Sequence, residues 1–263
     1  MKYDAISQRM KDYEQRNQYY LQRKIPVIIR VDMRSGHTFT KNFEKPIDPV
    51  FLTAIQNTML YCCEHIEGCV LGYCQSDEIT FVLQDYAGIE TEAWFKYRID
   101  KLCSIVASMA TMAFIQEFYE RIKLIKDATR VNIYTEAIHQ GVMFDARCFN
   151  LPKEEVCNLI YWRQLDASRN SIQGWGQKFF SHKELLNKSC DEIQNMLMTH
   201  YDFNWNHLPT HLKRGCACRK LTYKIDIARQ HDSLTKWTLD YEMPILKGED
   251  RAYVNELIFI GES

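Results

Sequence analysis

The feature that most limits what this chain can become is a short apolar strand ending on a carboxylate, followed by a hairpin that carries a second one. Ile25 to Val31 is a β-branched run closed by Asp32, and Pro26 separates it from the polar segment before it. Cys69 to Cys74 and Ile79 to Leu83 are two further β-prone runs, with the polar string Gln75-Ser76-Asp77-Glu78 between them. A turn-sized polar insertion puts its carboxylates at a sheet edge. With the first strand beside the hairpin, Asp32 and Asp77 converge, and two hard oxygen donors at one point suit Mg2+ ions shared with substrate phosphates. Two such ions, about 3.5–4 Å apart, clamp the attacking and leaving oxygens of a phosphoryl displacement. Taken alone, a strand-ending Asp is more often a turn or cap residue and an acidic string a solvated loop.

The order of elements sets these motifs in a layer. The first 24 residues carry Ile6, Met10, Tyr13 and Tyr20 at a spacing that predicts an amphipathic helix. Helix is predicted again over 49–65 and over 91–122, the latter apolar nearly all round, and a strand over 141–149. Strand, helix, hairpin, helix, strand predicts an α+β fold of ferredoxin-like, palm type: an antiparallel sheet with helices packed on one face. Residues 1–150 would form this core. Residues 151–263 would form a mainly helical and β-hairpin extension packed on it, helical over 153–202 and returning to short β-prone segments such as Leu221 to Ile227.

Composition narrows the setting. Apolar residues make up 46% and charged residues 25%, as in an ordinary globular protein. No stretch reads as the roughly 20 apolar residues of a membrane span, and the N-terminus lacks an apolar signal core, so a cytoplasmic location away from membranes is expected. Ten cysteines in a chain that can bury its own core read as reduced thiols. Cys62-Cys63 and Cys216-Ala-Cys218 lack the CxxC spacing of a zinc site. A net charge of −1 neither supports nor excludes a nucleic-acid partner.

The residues flanking the carboxylates carry a resemblance. Arg30-Val31-Asp32-Met33-Arg34 followed by Gly36-His37-Thr38-Phe39, and Gln75-Ser76-Asp77-Glu78-Ile79-Thr80-Phe81-Val82, resemble the two signatures of the tRNA-His guanylyltransferase superfamily. Trp94-Phe95-Lys96, Phe144-Asp145-Ala146-Arg147, Trp162-Arg163-Gln164 and Lys213-Arg214-Gly215 follow in the same order. The resemblance implies that Asp32 and Asp77 hold two Mg2+ ions, joined by the backbone carbonyl of Met33, with Glu78 as their acidic, catalytic neighbour. The family usually has glycine where Met33 stands, so that ligand depends on a backbone conformation that suits methionine. It further implies nucleotide contacts from Arg30, Arg34, His37, Lys45, Asp48 and Ser76, and triphosphate contacts from Arg98 and Lys101 on one helix face. Arg147, Arg163, Asn170, Lys213 and Arg214 become candidate RNA contacts.

One departure bears on function. Eukaryotic members acting on tRNA-His carry a HINNLYN string after WRQ, and here Ser168-Arg169-Asn170-Ser171-Ile172-Gln173 retains only one of the paired asparagines. That form resembles the guanylyltransferase-like branch, which repairs 5′-truncated tRNAs by templated 3′-to-5′ addition with ATP and GTP as substrates. A homo-tetramer is the assembly the resemblance implies. The alternatives are single-G addition to tRNA-His and a non-catalytic RNA-binding palm protein; the presence of Asp32, Asp77 and Glu78 speaks against the latter.

Overall fold

The computed structural model describes residues 2–227 and 230–260. After helix α1 (Lys2–Gln15), strand β1 (Val27–Met33) enters the centre of the molecule, its first three residues and Val31 fully buried. The short helix α2 (Gly36–Phe39) leads to α3 (Pro49–His65), which starts sharply. Asp48 caps it by accepting from the Val50 and Phe51 amides, and Pro49 occupies the first turn, where a missing N–H costs nothing. Strands β2 (Cys69–Gln75) and β3 (Glu78–Leu83) form the hairpin. Helices α4 (Ile99–Ile122) and α5 (Ala128–His139) then lead to β4 (Phe144–Asn150).

These strands lie in the order β4-β1-β3-β2, all antiparallel, and α3 and α4 cover one face as the α+β palm reading anticipates. Alternation of side chains across β1 divides the core. Val27, Ile29, Val31 and Met33 point into the layer formed with α3 and α4. Ile28, Arg30 and Asp32 point to the other side, where Ile28 packs with Val156, Cys157 and Ile160.

That second face is covered by the C-terminal half. The 27-residue helix α6 (Lys153–Phe179) crosses it, followed by α7 (His182–Leu185), α8 (Cys190–Tyr201) and α9 (Thr210–Arg214). Strand β5 (Cys216–Ile227) then pairs with β2, and β6 (Gln230–Asp240) pairs with β5, so the sheet grows to six strands. Helix α10 (Ala252–Ile258) returns to pack on α6. Gln164 on α6 ties down this tail, donating to the Pro244 carbonyl at 2.8 Å and accepting from the Leu246 amide at 3.1 Å.

Several elements differ from the reading of the chain. The N-terminal helix stops at Gln15, and the segment after it meets the rest through a bridge between Tyr20 and Arg98. The long helix starts at Ile99 rather than near 91, because Phe95, Lys96 and Tyr97 adopt left-handed φ values of 49°, 55° and 59° that no α-helix continues through. The short β-prone segments of the tail are one long hairpin. By length and composition α4 is also long and apolar enough to cross a membrane, which the reading did not flag. Its Leu102, Val106, Ala110, Phe114 and Phe118 are buried against the rest of the fold.

The core fixes the loop that frames the site. Phe39, Phe43, Phe51, Phe114, Phe118 and Tyr134 form one aromatic cluster, with Phe43 edge-on to Tyr134 at 4.9 Å. Segment 40–48 is pinned from below, and its polar side chains are held at the rim of the sheet.

Candidate active site

The hairpin turn is tighter than the polar string suggests. Only Ser76 and Asp77 lie between β2 and β3, and Ser76 takes φ 53°, which a two-residue hairpin demands and which costs strain outside glycine. Glu78 is therefore a strand residue, not a turn residue. It is the register partner of Asp32, and the Met33 amide donates to the Asp77 carbonyl at 3.2 Å, so all three carboxylates meet at one end of β1 and β3.

Their environments separate their roles. Glu78 is buried, and Arg163 from α6 grips it in a fork, Nε to Oε1 at 2.7 Å and a terminal nitrogen to Oε2 at 2.9 Å. Both oxygens of Glu78 are committed, which corrects the expectation of a directly catalytic Glu78 and of Arg163 as an RNA contact. Arg163 also meets Asp166 at 3.0 Å and has no free face. Asp32 and Asp77 remain open to a ligand, Asp32 about 39% exposed.

A fourth carboxylate stands beside them that the reading of the chain did not single out. Asp145 on β4 is the register partner of Asp32 on its other side. Burial raises the pKa of Asp32, and the charges of Asp77 and then Asp145 raise it further; Arg147 and Arg30 pull it back. Arg147 reaches Asp145 at 3.3 Å and Asp32 at 3.9 Å. The signal was present in Phe144-Asp145-Ala146-Arg147, a strand whose alternation puts Asp145 and Arg147 on the face of Asp32.

This donor set fits Mg2+. Among the described residues no group of three or more His, Cys, Asp or Glu forms a cage that could hold a metal unaided. Two accessible hard carboxylates, their charge only partly offset by Arg147 and Arg30, suit an ion that completes its shell with phosphates and water. Met33 is compatible with a backbone ligand, because it lies in extended strand and outside the left-handed residues, with its side chain in the core. Gly36 meets a stricter demand: a Cβ there would sit 1.9 Å from Oδ2 of Asp77. Gly36→Ala is expected to displace the Asp77 carboxylate and cut turnover at least tenfold with little change in Tm, checked by steady-state rates beside thermal melting.

The raised Asp32 gives a pH prediction. A carboxyl with an elevated pKa stays protonated to higher pH, and the neighbouring charge of Asp145 opposes its ionisation. Asp145→Asn removes that charge and releases Arg147 toward Asp32, so both effects lower the Asp32 pKa. Carboxyl-carbon NMR titration of the metal-free protein should show the Asp32 midpoint above the usual carboxylate range and moving down in the variant; a midpoint that stays or rises refutes the assignment.

A cleft of about 630 Å3 opens beside Asp77, between the 36–48 segment, the hairpin turn, α6 and the start of β5. His37, Lys45, Asp48, Ser76, Asp77, Asn170 and Lys213 all line it. Four of these are already engaged, Lys45 by donating to the Thr40 carbonyl at 2.9 Å and Asn170 by donating to the Asp166 carboxylate at 3.4 Å. Asp48 accepts from the Glu44, Val50 and Phe51 amides and from the Tyr134 hydroxyl, so it builds the wall as a helix cap rather than offering a free nucleotide contact. Lys213 is buried and donates to the Asn206 carbonyl at 2.7 Å, which corrects its assignment to RNA. Lys178, which was not anticipated, and His211 also line the cleft.

Arg98 and Lys101 are not brought to this place. The start of α4 lies by Cys148, whose thiol meets the Ile99 carbonyl, on the sheet face opposite Asp32 and further down β4. Within one chain they cannot share a triphosphate with Ser76. Arg34 is exposed on the turn after β1, its amide bound to the Met143 carbonyl, and Arg214 lies 5.7 Å from the Trp205 ring. Arg30 faces the Asp32 side and approaches Trp162 at 5.7 Å.

An antiparallel palm with two open carboxylates at the strand end, beside a cleft of mixed charge lined by Lys45, Lys178 and Lys213, belongs to the class of nucleotidyl-transferring palms. The description "tRNAHis guanylyltransferase" matches residues 7–152, and the chain belongs to this family of nucleotidyltransferases. A bacterial tRNA(His) guanylyltransferase-like protein solved in complex with ATP is similar over 97% of this chain and 99% of its own, at 35% identity and a TM-score of 0.80. Such a protein in complex with GTP matches at 33% identity, with the same coverage and a TM-score of 0.76. A "Probable tRNA(His) guanylyltransferase" of Dictyostelium discoideum is 26% identical over 80% of each chain.

Proposed function

We propose that this protein extends the 5′ end of tRNA by templated 3′-to-5′ nucleotide addition, using ATP to activate the end and GTP or another triphosphate as the incoming nucleotide. The observation that carries the reading is the cleft beside Asp77, framed by Ser76, His37, Lys45 and Lys178. In the first stage a 5′-phosphate oxygen of the RNA attacks the α-phosphorus of ATP and releases pyrophosphate. In the second, the 3′-hydroxyl of the incoming nucleotide attacks the activated 5′-phosphate and expels AMP.

Mg2+ held by Asp32, Asp77 and the Met33 carbonyl would supply activation of the attacking hydroxyl and neutralisation of phosphate charge. The chain's own residues do the rest. Ser76, at the exposed tip of the turn, offers a hydroxyl to a phosphate; Lys45 and Lys178 balance the triphosphate; Asp77 is held in place by the closeness of Gly36. Repair rather than single-G addition is favoured by α6. Asn170 lines the cleft, but the next position is Ser171, whose hydroxyl donates to the Leu212 carbonyl and accepts from Trp205 Nε1. A paired-asparagine contact is thereby absent from this wall.

The test is a gel assay with Mg2+, ATP, GTP and two 5′-monophosphorylated RNAs: a tRNA lacking its first acceptor-stem nucleotide and a tRNA-His lacking its extra G. Extension of the truncated tRNA that stops when the stem is full supports repair. Addition to tRNA-His alone would move the protein to the maturation reaction.

A further inference from the structure

The carboxylates have a second flank, on the β4 side, away from the cleft. Trp162 on α6 stands there, 52% exposed, which is unusual for the largest apolar side chain. It is not loose. The Arg163 guanidinium lies 4.6 Å from its ring and Arg30 lies 5.7 Å from it, and Arg163 is itself locked on Glu78. Arg30 precedes Asp32 by two residues on the same strand face, about 7 Å away along β1, and its Nε is buried without a hydrogen-bond partner. Arg147, half exposed, is the register partner of Arg30. Leu165 and Arg169 extend the exposed stripe of α6 by one and two turns.

We infer that Trp162 is a stacking platform for the 5′-terminal base of the RNA, with Arg30 and Arg147 steering its phosphate toward Asp32. The inference rests on the RNA reading above. An indole backed by two guanidiniums presents a rigid ring at low entropic cost, and a base adds to it without regard to sequence. Arginines beside it suit the adjoining phosphodiester. A free nucleotide could stack on the same ring; the proposed triphosphate site, however, is the cleft across the carboxylates with Lys45 and Lys178, so the RNA end is the occupant of this flank. The two reactants would thus approach Asp32 and Asp77 from opposite sides.

The test uses the full-length protein and a 5′-monophosphorylated acceptor-stem hairpin labelled at its 3′ end, with affinity read by fluorescence anisotropy. Trp162→Ala is expected to weaken binding about tenfold, whereas Trp162→Phe stays within about threefold, because any π-face supports stacking. The same hairpin with an abasic 5′-terminal nucleotide should bind wild type about as weakly as the intact hairpin binds Trp162→Ala, and Trp162→Ala should cost nothing further. Multiplying losses, or a Trp162→Ala defect confined to ATP or GTP affinity, would overturn the assignment. Unchanged RNA affinity in Trp162→Ala overturns it too while leaving the RNA reading intact. Wild type that binds no hairpin at all sinks both.

Discussion

Asp32→Asn or Asp77→Asn is expected to lower 5′ nucleotide addition about a thousandfold or more, the equivalent of roughly 4 kcal/mol of transition-state stabilisation. Each substitution keeps the volume and removes the charge. The double variant should be scarcely worse than either single one, because the two carboxylates act as a unit and the loss of one already empties the site. The informative companion measurement is Tm. Asp32 is held among Asp77, Asp145 and a partly buried strand end that all disfavour its ionised form. At neutral pH it is charged at a cost to the fold, so Asp32→Asn should leave Tm unchanged or raise it. A variant that is inactive and no less stable identifies a functional charge; one that loses activity and Tm together would assign Asp32 to the scaffold.

How much of this was visible in the chain divides along a physical line. The convergence of Asp32 and Asp77 was legible because both lie where β-prone runs end, and a palm layer leaves little choice about which strands are neighbours. The α+β layer was legible for the same reason. What was not legible depends on facing and partnership rather than element type. Glu78 looks like its neighbour Asp77, yet one residue of register turns it into the sheet and onto Arg163. Asp48, expected from the resemblance to contact the nucleotide, is a saturated cap. Arg98 and Lys101 do not share a helix face, because Arg98 is the extended residue before α4 begins at Ile99, and that helix lies on the wrong side of the sheet for the cleft. Asp145 and Trp162 gain meaning only once β4 and α6 are placed against β1, and no local pattern states those placements.

The same dependence on long-range partners makes Arg163 the position whose loss should most damage the fold. It joins α6 to the catalytic sheet through a contact between residues 85 apart in sequence, and it is slightly more buried than Glu78. Burial pushes the Glu78 carboxyl up, against the pull of Arg163 and then Arg30. Arg163→Met keeps most of the apolar stem and deletes the charge, leaving a buried carboxylate that is only partly compensated by Arg30. The expected loss is about 3–5 kcal/mol, a fall in Tm of roughly 10 °C for a chain of this size. The sign with pH follows from the raised Glu78 pKa, which rises further in the variant. A carboxyl whose folded pKa exceeds its unfolded value of about 4.3 favours the fold below that value, and the benefit is lost as pH rises through the folded pKa. Arg163→Met should therefore be nearest to wild type in acid and furthest from it at neutral pH. Adding Glu78→Gln removes the stranded charge and should restore most of the lost stability without restoring the fork. If the double variant melts as low as Arg163→Met at pH 7, the damage is lost packing by α6 rather than an unpaired charge. If it recovers stability yet still binds RNA poorly, the fork's remaining task is to hold α6, and with it Trp162, at the edge of the carboxylate site.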